Sequence, residues 1–276
     1  MEFIIFNVSH GFCAALKIGN HLTLIDCGHD DNHDFTPIEW LYQKGFRQID
    51  TLIISNFDQD HVSDIITLRD KFRVGKFVAN RTINSLDLTI LKLESGPLTP
   101  QMCTAITGFN QEALKAYSLS EVQPPGSQFE FYFVVYPHET DTNNLSLVTV
   151  VSYKRMRLIY PGDLEKRGWQ KLLELEEFRR TLTGVNIFIA SHHGRVNGYC
   201  EEIFEYCEPE IVIISDQSRV YGTQEHDYYS KHVKGNGLNY GTVLNPKFRK
   251  VLTTRNDGDI SIFEKDEKIL VRPAKG

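Results

Sequence analysis

The sequence lacks the features of membrane-spanning proteins and of small disulfide-bonded domains. No apolar stretch approaches the roughly 20 residues that a membrane-spanning helix requires, so we expect no membrane partner. The five cysteines are odd in number and have no paired spacing, which favours a reducing compartment, and we expect a cytoplasmic protein. Residues 1–6 have no basic flank and are expected to form a first strand, not a signal peptide.

The motifs of three common enzyme classes are also missing. The chain contains no phosphate-binding glycine loop, no dinucleotide fingerprint and no serine-nucleophile motif. The residues therefore point neither to a nucleotide cofactor nor to a covalent serine intermediate. The net charge of −6 argues against a general polyanion binder, although a local group of basic residues can still attract a phosphate backbone.

Residues of the kinds that bind metals follow four short apolar runs. Each run is predicted to be a buried strand because it is short, apolar and bounded by polar residues. The clusters that follow the runs are, in chain order, Asp26, Asn56 to His61, Asp163, and His192 with His193. Ligands at strand ends lie on loops over a rigid sheet, as in an active-site rim. Four clusters of one chemical type predict a metallohydrolase-like site.

The rest of the chain alternates strands with interspersed helices. A helix is predicted around Pro37–Lys44, a second begins just after His61, a third covers Arg167–Arg180, and Gln111–Ser118 has a helical pattern. Strands dominate both halves, and this order fits two sheets with helices outside them, an α/β fold. Without an internal repeat or an obvious linker, we expect one domain over residues 1–276.

Eight motifs occur in a fixed order along the chain. They are Phe6–Gly11, Leu24–Gly28, Ser55–His61, Asn143–Val148, Pro161–Asp163, His192–Gly194, Tyr221–His226 and Asp257–Ile260. In sequence and spacing they resemble the metallo-β-lactamase superfamily, and most closely the nuclease-like domain of the competence protein ComEC. The resemblance implies a four-layer αββα sandwich, a metal-dependent hydrolase and phosphodiester hydrolysis, with DNA as the leading substrate.

The resemblance also implies a site for one or two divalent cations, with Asp163 bridging two. It assigns Asn56, Asp58 and Asp163 to the first cation, and Asp60, His61, Asp163 and one of His192 or His193 to the second. Asn56 stands where the family has a histidine, and an amide oxygen is a weak, hard ligand. Because oxygen-rich sites suit Mn²⁺ or Mg²⁺ and imidazole-rich sites suit Zn²⁺, we expect Mn²⁺ first, with Zn²⁺ or Mg²⁺ as alternatives.

Other residues are expected to support the chemistry. Asp26 is expected to hold the loop that carries Asp60, and Asn144 and Ser146 to hold backbone in place. His226 matches a family histidine that faces the site, so with Asp60 and Asp163 it belongs to the expected catalytic set. Two basic features are expected to contact phosphates: Arg195, directly after the histidine pair, and the turn Lys154–Arg157.

Three functions are compatible with these residues. The first is a nuclease or phosphodiesterase in which the metal site activates water. The second is a hydrolase of a small phosphorylated metabolite, an ester or a lactone, since a fold does not determine a substrate. The third, suggested by Asn56, is a degenerate member that acts as a scaffold or regulatory subunit of a larger complex, for example in defence. We expect DNA and a protein as partners.

Overall fold

The computed structural model describes residues 1–29, 35–108, 119–217, 220–241, 245–265 and 268–274, without the side chains of residues 119, 120, 226 and 265. The helix predicted at Gln111–Ser118 lies outside these ranges. The strands are β1 (Glu2–Ile5), β2 (Ala14–Ile18), β3 (His21–Ile25), β4 (Gln48–Ile53), β5 (Arg73–Val78), β6 (Ser127–Tyr132), β7 (Val148–Tyr153), β8 (Met156–Tyr160), β9 (Ile187–Ile189), β10 (Ile211–Ile214), β11 (Leu238–Asn239), β12 (Phe248–Arg249), β13 (Val251–Thr253), β14 (Ile260–Lys265) and β15 (Lys268–Pro273).

The helices in the described ranges are short, and none is both long and apolar enough to pass through a bilayer. They are α1 (Pro37–Gln43), α2 (Gln59–Val62), α3 (Ile65–Lys71), α4 (Ser85–Ser95), α5 (Pro100–Gly108), α6 (Leu119–Val122), α7 (Lys166–Leu173), α8 (Glu176–Leu182), α9 (His226–Ser230) and α10 (Thr254–Asp257). Three 3₁₀ turns cover Ser191–Gly194, Glu201–Glu205 and Gly222–Gln224.

Two large sheets carry the fold. In the described residues the first has the order β15-β14-β1-β2-β3-β4-β5 and the second the order β13-β10-β9-β8-β7-β6, while β11 pairs with β12. Most neighbours are antiparallel, but β3 pairs in parallel with β4, and β8 with β9. The predicted ligand clusters follow these four strands. Because parallel strands end at the same edge of a sheet, each sheet presents two ligand-bearing loops at one edge.

Three apolar cores separate four layers. The first lies between the first sheet and helices α1, α3, α4 and α5, the second between the two sheets, and the third between the second sheet and helices α7, α8 and α9. Representative pairs across these cores are Leu24 with Leu41, Ile5 with Leu158, and Phe188 with Trp169. Strands buried on both faces account for the continuous apolar runs of the sequence. The predicted αββα sandwich is confirmed.

The structure corrects several predicted helix bounds. A helix begins after His61 as predicted, α3 at Ile65, but the separate short helix α2 precedes it and contains that histidine. The helix predicted at Arg167–Arg180 is two helices, α7 and α8, because Leu175 is extended between them (φ −81°, ψ 118°). Leu175, although apolar, is consequently exposed. The helix predicted around Pro37–Lys44 is present as α1, capped by the Thr36 side chain.

Helix α4 was not predicted, although its ends carry clear signals. The Asn84 side chain accepts a hydrogen bond from the backbone N–H of Asp87, and Gly96 ends the helix with a hydrogen bond to the carbonyl of Lys92. Its apolar pattern misleads because Leu86 is exposed, whereas Lys92 is 2% exposed. A lysine on the buried face therefore hides the amphipathic pattern by which a helix is recognised.

Two glycines let the chain approach the loop of the central metal-type motif. The carbonyl of Asp60 accepts a hydrogen bond from the backbone N–H of Phe12 at 3.2 Å. Gly11 and Gly28 both face this carbonyl oxygen. A Cβ atom would lie 2.3 Å from that carbonyl oxygen at Gly11 and 2.1 Å from it at Gly28. Since no side chain fits at such distances, both positions require glycine to hold Asp60 in place.

We predict that Gly28→Ala destabilises the protein by about 1–3 kcal/mol, because the new methyl group must displace the backbone of Asp60. Urea unfolding followed by circular dichroism measures this free energy. Gly222→Ala is the matched control: its Cβ would meet only Tyr228, at 3.8 Å, and we expect a change within about 0.5 kcal/mol. Equal stability of Gly28→Ala and the wild type would contradict the packing described here.

Candidate metal centre

Four side chains from both sheets meet at one point. They are Asp60, His61, Asp163 and His193, and their potential ligand atoms all lie within 4.8 Å of one another. Asp60 and His61 lie in α2, which follows β4, while Asp163 follows β8 and His193 follows β9. Three of the four side chains are buried and Asp60 is partly buried. The fold therefore brings together ligands that are separated by more than a hundred residues in the chain.

The separations suit one cation. His61 Nε2 lies 3.1 Å from Asp163 Oδ1 and 4.0 Å from Asp60 Oδ2, and His193 Nε2 lies 3.2 Å from Asp60 Oδ2 and 3.6 Å from Asp163 Oδ1. Four ligands at bond lengths of about 2.1 Å around a tetrahedral ion are about 3.4 Å apart. The four separations, from 3.1 to 4.0 Å, bracket this value, so the group is suited to hold one cation.

The two histidines are oriented by their other ring nitrogens. His61 Nδ1 lies 2.8 Å from Asp26 Oδ2, and His193 Nδ1 lies 3.0 Å from the carbonyl oxygen of Ser215. When each Nδ1 donates a proton to its oxygen, each Nε2 presents a lone pair to the carboxylates of the cluster. Neither Nε2 has a hydrogen-bond partner among the described residues. Lone pairs that face one another repel, and a proton or a cation bound between them removes this repulsion.

The charges of the cluster favour a cation as well. Burial lowers the pKa of His61, but Asp163, Asp60 and Asp26 outweigh this and hold the pKa well above its ordinary value. Burial raises the pKa of Asp60 and of Asp163, but His61 and His193 outweigh it and hold both values below the usual range. The carboxylates therefore remain ionised and attract positive charge to this point. The donor set fits a divalent metal ion.

His193, and not His192, belongs to the group of four. The two residues share a turn in which both have positive φ (49° and 54°), so their side chains diverge. His192 Nε2 lies 3.8 Å from Asp163 Oδ2, and His192 Nδ1 lies 3.5 Å from Glu165 Oε1. His192 lines the cleft beside the four side chains, where Arg195 Nη1 is 3.4 Å from its Nε2.

Asn56 and Asp58 contact a lysine that sequence reasoning missed. The Lys92 ammonium donates hydrogen bonds to Asn56 Oδ1 at 3.0 Å and to Asp58 Oδ1 at 2.7 Å. Asn56 Nδ2 in turn donates to Asn143 Oδ1 at 3.0 Å. The structure therefore engages both residues with Lys92, away from the group of four, whereas the motif comparison assigned them to a first cation. Lys92 lies in no motif, and its position follows from the packing of α4.

Three further predicted residues hold the loops of the cluster. Asp26 is buried and accepts hydrogen bonds from Ser55 N (2.7 Å), Ser55 Oγ (2.6 Å) and Tyr160 Oη (2.6 Å), besides contacting His61. Asn144 Oδ1 accepts from the backbone of residues 165 and 168, and Ser146 Oγ accepts from the N–H of residue 163 at 3.2 Å. They act on the backbone that carries the ligands.

An open cleft of about 650 Å³ leads to the cluster. Arg195 lines this cleft and reaches His10, with 3.1 Å between Nη2 and Nε2, while His10 Nε2 is 3.3 Å from Asp60 Oδ2. His10 is thus a second residue at the site that was not predicted. The side chain of His226 lies outside the part of the chain that the structure describes, and its catalytic role stays a prediction.

The turn Lys154–Arg157 is not near this cleft. It joins β7 to the amino end of β8, whereas Asp163 follows the carboxyl end of that strand. Arg157 Nη2 pairs with Glu130 at 2.7 Å, and Lys154 Nζ lies 3.6 Å from Glu264. Because a strand places its two ends at opposite edges of the sheet, this turn lies apart from the metal cluster, and its contact with phosphates of DNA stays a prediction.

An αββα sandwich whose carboxyl-end loops gather two carboxylates and two imidazoles is a metal-dependent hydrolase scaffold. A sequence model of the metallo-beta-lactamase superfamily matches residues 7–201, and the chain belongs to this superfamily. It is 26% identical over 180 residues to ComE operon protein 3 of Bacillus subtilis (strain 168). That alignment covers 64% of this chain but only 21% of the relative. The predicted resemblance to the superfamily and its ComEC branch is confirmed.

Solved structures agree in fold. A diphosphatase from the PhnP family superposes with a TM-score of 0.50 at 11% identity, over 96% of this chain and 98% of that one. CmlA, a diiron β-hydroxylase from Streptomyces venezuelae, has a TM-score of 0.50 at 13% identity, over 84% of this chain and 51% of that one. At such low identity these similarities concern the fold alone.

We predict that His193→Gln lowers the affinity for Mn²⁺ or Zn²⁺ by more than about 100-fold, because losing a direct ligand costs more than losing an outer partner. His192→Gln, the matched control in the same turn, should retain an affinity close to that of the wild type. Isothermal titration of metal-free protein measures both. A similar loss in the two variants would make His192 a ligand too and would contradict the group of four.

Proposed function

We propose that this chain is a metal-dependent phosphodiesterase that cleaves DNA. The observation that carries the proposal is the guanidinium of Arg195 in the cleft, beside a cluster of ionised carboxylates that is suited to a cation. A metal ion and an arginine that face one open cleft can together bind an anionic substrate. The resemblance of the motifs to the nuclease-like domain of ComEC makes a phosphodiester of DNA the leading candidate.

The residues of the site have separate tasks in this proposal. Asp60, His61, Asp163 and His193 would hold the cation, and Asp26 keeps the His61 ring in the orientation that this requires. A bound divalent ion supplies a Lewis acid that polarises a phosphoryl oxygen and lowers the pKa of water. Arg195 binds a non-bridging phosphate oxygen and turns the phosphorus toward the centre. No protein nucleophile is needed.

The identity of the metal belongs to the same proposal. The preference for Mn²⁺ was drawn from an oxygen-rich first position that includes Asn56 and Asp58, and both are engaged with Lys92. The remaining donors are two imidazoles and two carboxylates, a set that suits Zn²⁺ as well as Mn²⁺. We propose that either ion supports activity and that Mg²⁺, which favours oxygen ligands, supports it less well.

The experiment that tests this function is cleavage of single- and double-stranded DNA and RNA with Mn²⁺, Zn²⁺ or Mg²⁺, beside bis-p-nitrophenyl phosphate. Cleavage of DNA supports the proposal. Turnover of the simple diester with every polymer intact would favour a small phosphodiester as the substrate. No turnover of any of them, with metal bound, would favour a non-phosphate ester or lactone, or a subunit that depends on a protein partner.

We predict that Arg195→Ala weakens DNA binding about equally for all sequences and lowers the slope of log affinity against log salt by roughly one, because the lost contact is to phosphate. Fluorescence anisotropy at several salt concentrations measures this slope. The control is Arg180→Ala, which removes an exposed arginine of α8 that pairs with Glu176, and it should leave the slope unchanged. An unchanged slope for Arg195→Ala would remove this residue from the substrate site.

A further inference from the structure

We propose that the ammonium of Lys92 occupies the position of the first cation, so that this chain binds one divalent ion and carries a fixed protein cation beside it. The proposal concerns the number of metal ions and the reason for Asn56. Its claim on metal binding is independent of the substrate, and only its last step, on phosphate, rests on the proposed function.

The first observation is the burial of the lysine. Lys92 is 2% exposed, and its side chain belongs to the buried face of α4, whose other faces meet solvent. A buried ammonium is unfavourable unless a carboxylate and hydrogen-bond acceptors compensate it. Here the compensation comes from Asp58 Oδ1 at 2.7 Å and Asn56 Oδ1 at 3.0 Å. The lysine is thus held in place by the two side chains that the superfamily motif places at its first cation.

The second observation is that a metal at this point would have to displace the ammonium. Both candidate ligand oxygens already accept hydrogen bonds from Nζ, and a divalent ion within coordination distance of them would lie close to a like charge. The side chain of Lys92 is buried, so displacing the ammonium would require its surroundings to rearrange. The donor set at this position therefore does not fit a metal ion, in contrast to the group of Asp60, His61, Asp163 and His193.

The third observation explains Asn56. A neutral histidine nitrogen that binds a metal presents one lone pair, whereas an asparagine both accepts and donates. Asn56 uses both abilities, since its oxygen accepts from Lys92 and its Nδ2 donates to Asn143 Oδ1 at 3.0 Å. An asparagine is therefore the residue type that supports an ammonium here. Asn56 and Lys92 therefore act together. The asparagine replaces the motif histidine, and the ammonium takes the place of the first metal ion.

The consequence is a cleft with two fixed protein cations and one metal. Lys92 and Arg195 both line it, together with Asp60 and Asp163 of the metal cluster. If the substrate is a phosphodiester, the ammonium neutralises part of the charge that a second metal would otherwise neutralise. A lysine provides this charge whatever the supply of metal, so activity should follow the occupancy of a single ion.

The test is the stoichiometry of bound metal. Metal-free wild-type protein is titrated with Mn²⁺ and with Zn²⁺, and bound metal is measured by mass spectrometry after removal of free ions. We expect one ion per chain, and a Mn²⁺ electron paramagnetic resonance spectrum of an isolated ion without exchange coupling. Two tight ions per chain, or a spin-coupled Mn²⁺ pair, would overturn the proposal and leave the proposed function intact. No bound ion would contradict the metal centre itself, and with it this inference.

A designed variant tests the reverse direction. Asn56→His with Lys92→Met removes the ammonium, keeps an apolar stem of similar length and restores the motif histidine, so we expect two ions per chain. Lys71→Met, at a surface lysine that pairs with Glu39, is the control and should bind one ion. If the double variant folds, as judged by circular dichroism, and still binds one ion, the proposal fails; if it does not fold, the wild-type stoichiometry and spectrum decide.

Discussion

The contact between Asp26 Oδ2 and His61 Nδ1, at 2.8 Å, is the interaction on which the rest of the site depends. Asp26 ends β3 with a positive φ of 55°, and it accepts hydrogen bonds from Ser55 after β4 and from Tyr160 at the end of β8. One buried carboxylate thus joins the ends of three strands from two sheets. It also determines which nitrogen of His61 faces the cluster, and this orientation suits the ring to bind a cation.

The site brings several charged groups together, and most of them are buried. Asp60 and Asp163 bring two carboxylates toward two imidazoles, and burial alone would raise the pKa of both carboxyl groups and favour their neutral forms. The opposite charges hold them ionised instead. A cation that binds the folded chain and not the unfolded chain stabilises the fold, so the stability of this protein and its metal occupancy are linked. Gly11 and Gly28, which pack against the Asp60 carbonyl, hold the Asp60 loop in position without a bound cation.

Lys92 shows how a protein cation can engage the side chains of a metal-type motif. Helix α4 places its ammonium against the side-chain oxygens of Asn56 and Asp58, within the motif Ser55–His61. In our proposal the positive charge at this position is therefore part of the chain. A fixed ammonium has a defined position and does not dissociate, while its single charge and lack of open coordination positions prevent it from activating water as a metal does.

The sequence by itself determined the fold class and the elements that bear ligands. Short apolar runs are followed by Asp26, Asp58 to His61, Asp163 and the histidine pair. Such patterns can be read from the sequence because a buried strand is recognised by consecutive apolar residues alone. The order of these motifs along the chain was also enough to predict the superfamily. Helix bounds were less predictable: α4 carries a buried lysine and exposed leucines, so its pattern contradicts its burial.

Tertiary structure alone decided which side chains meet. The choice of His193 over His192 depends on two consecutive residues with left-handed backbone conformation, which turn the neighbouring rings apart. The residue types in this turn do not predict that conformation. The engagement of Asn56 and Asp58 by Lys92 depends on the packing of a helix that begins 29 residues after Asn56, and the separation of Lys154 from the metal cluster depends on strand direction. Distances between residues remote in the chain arise from packing, and the linear order of residues does not contain them.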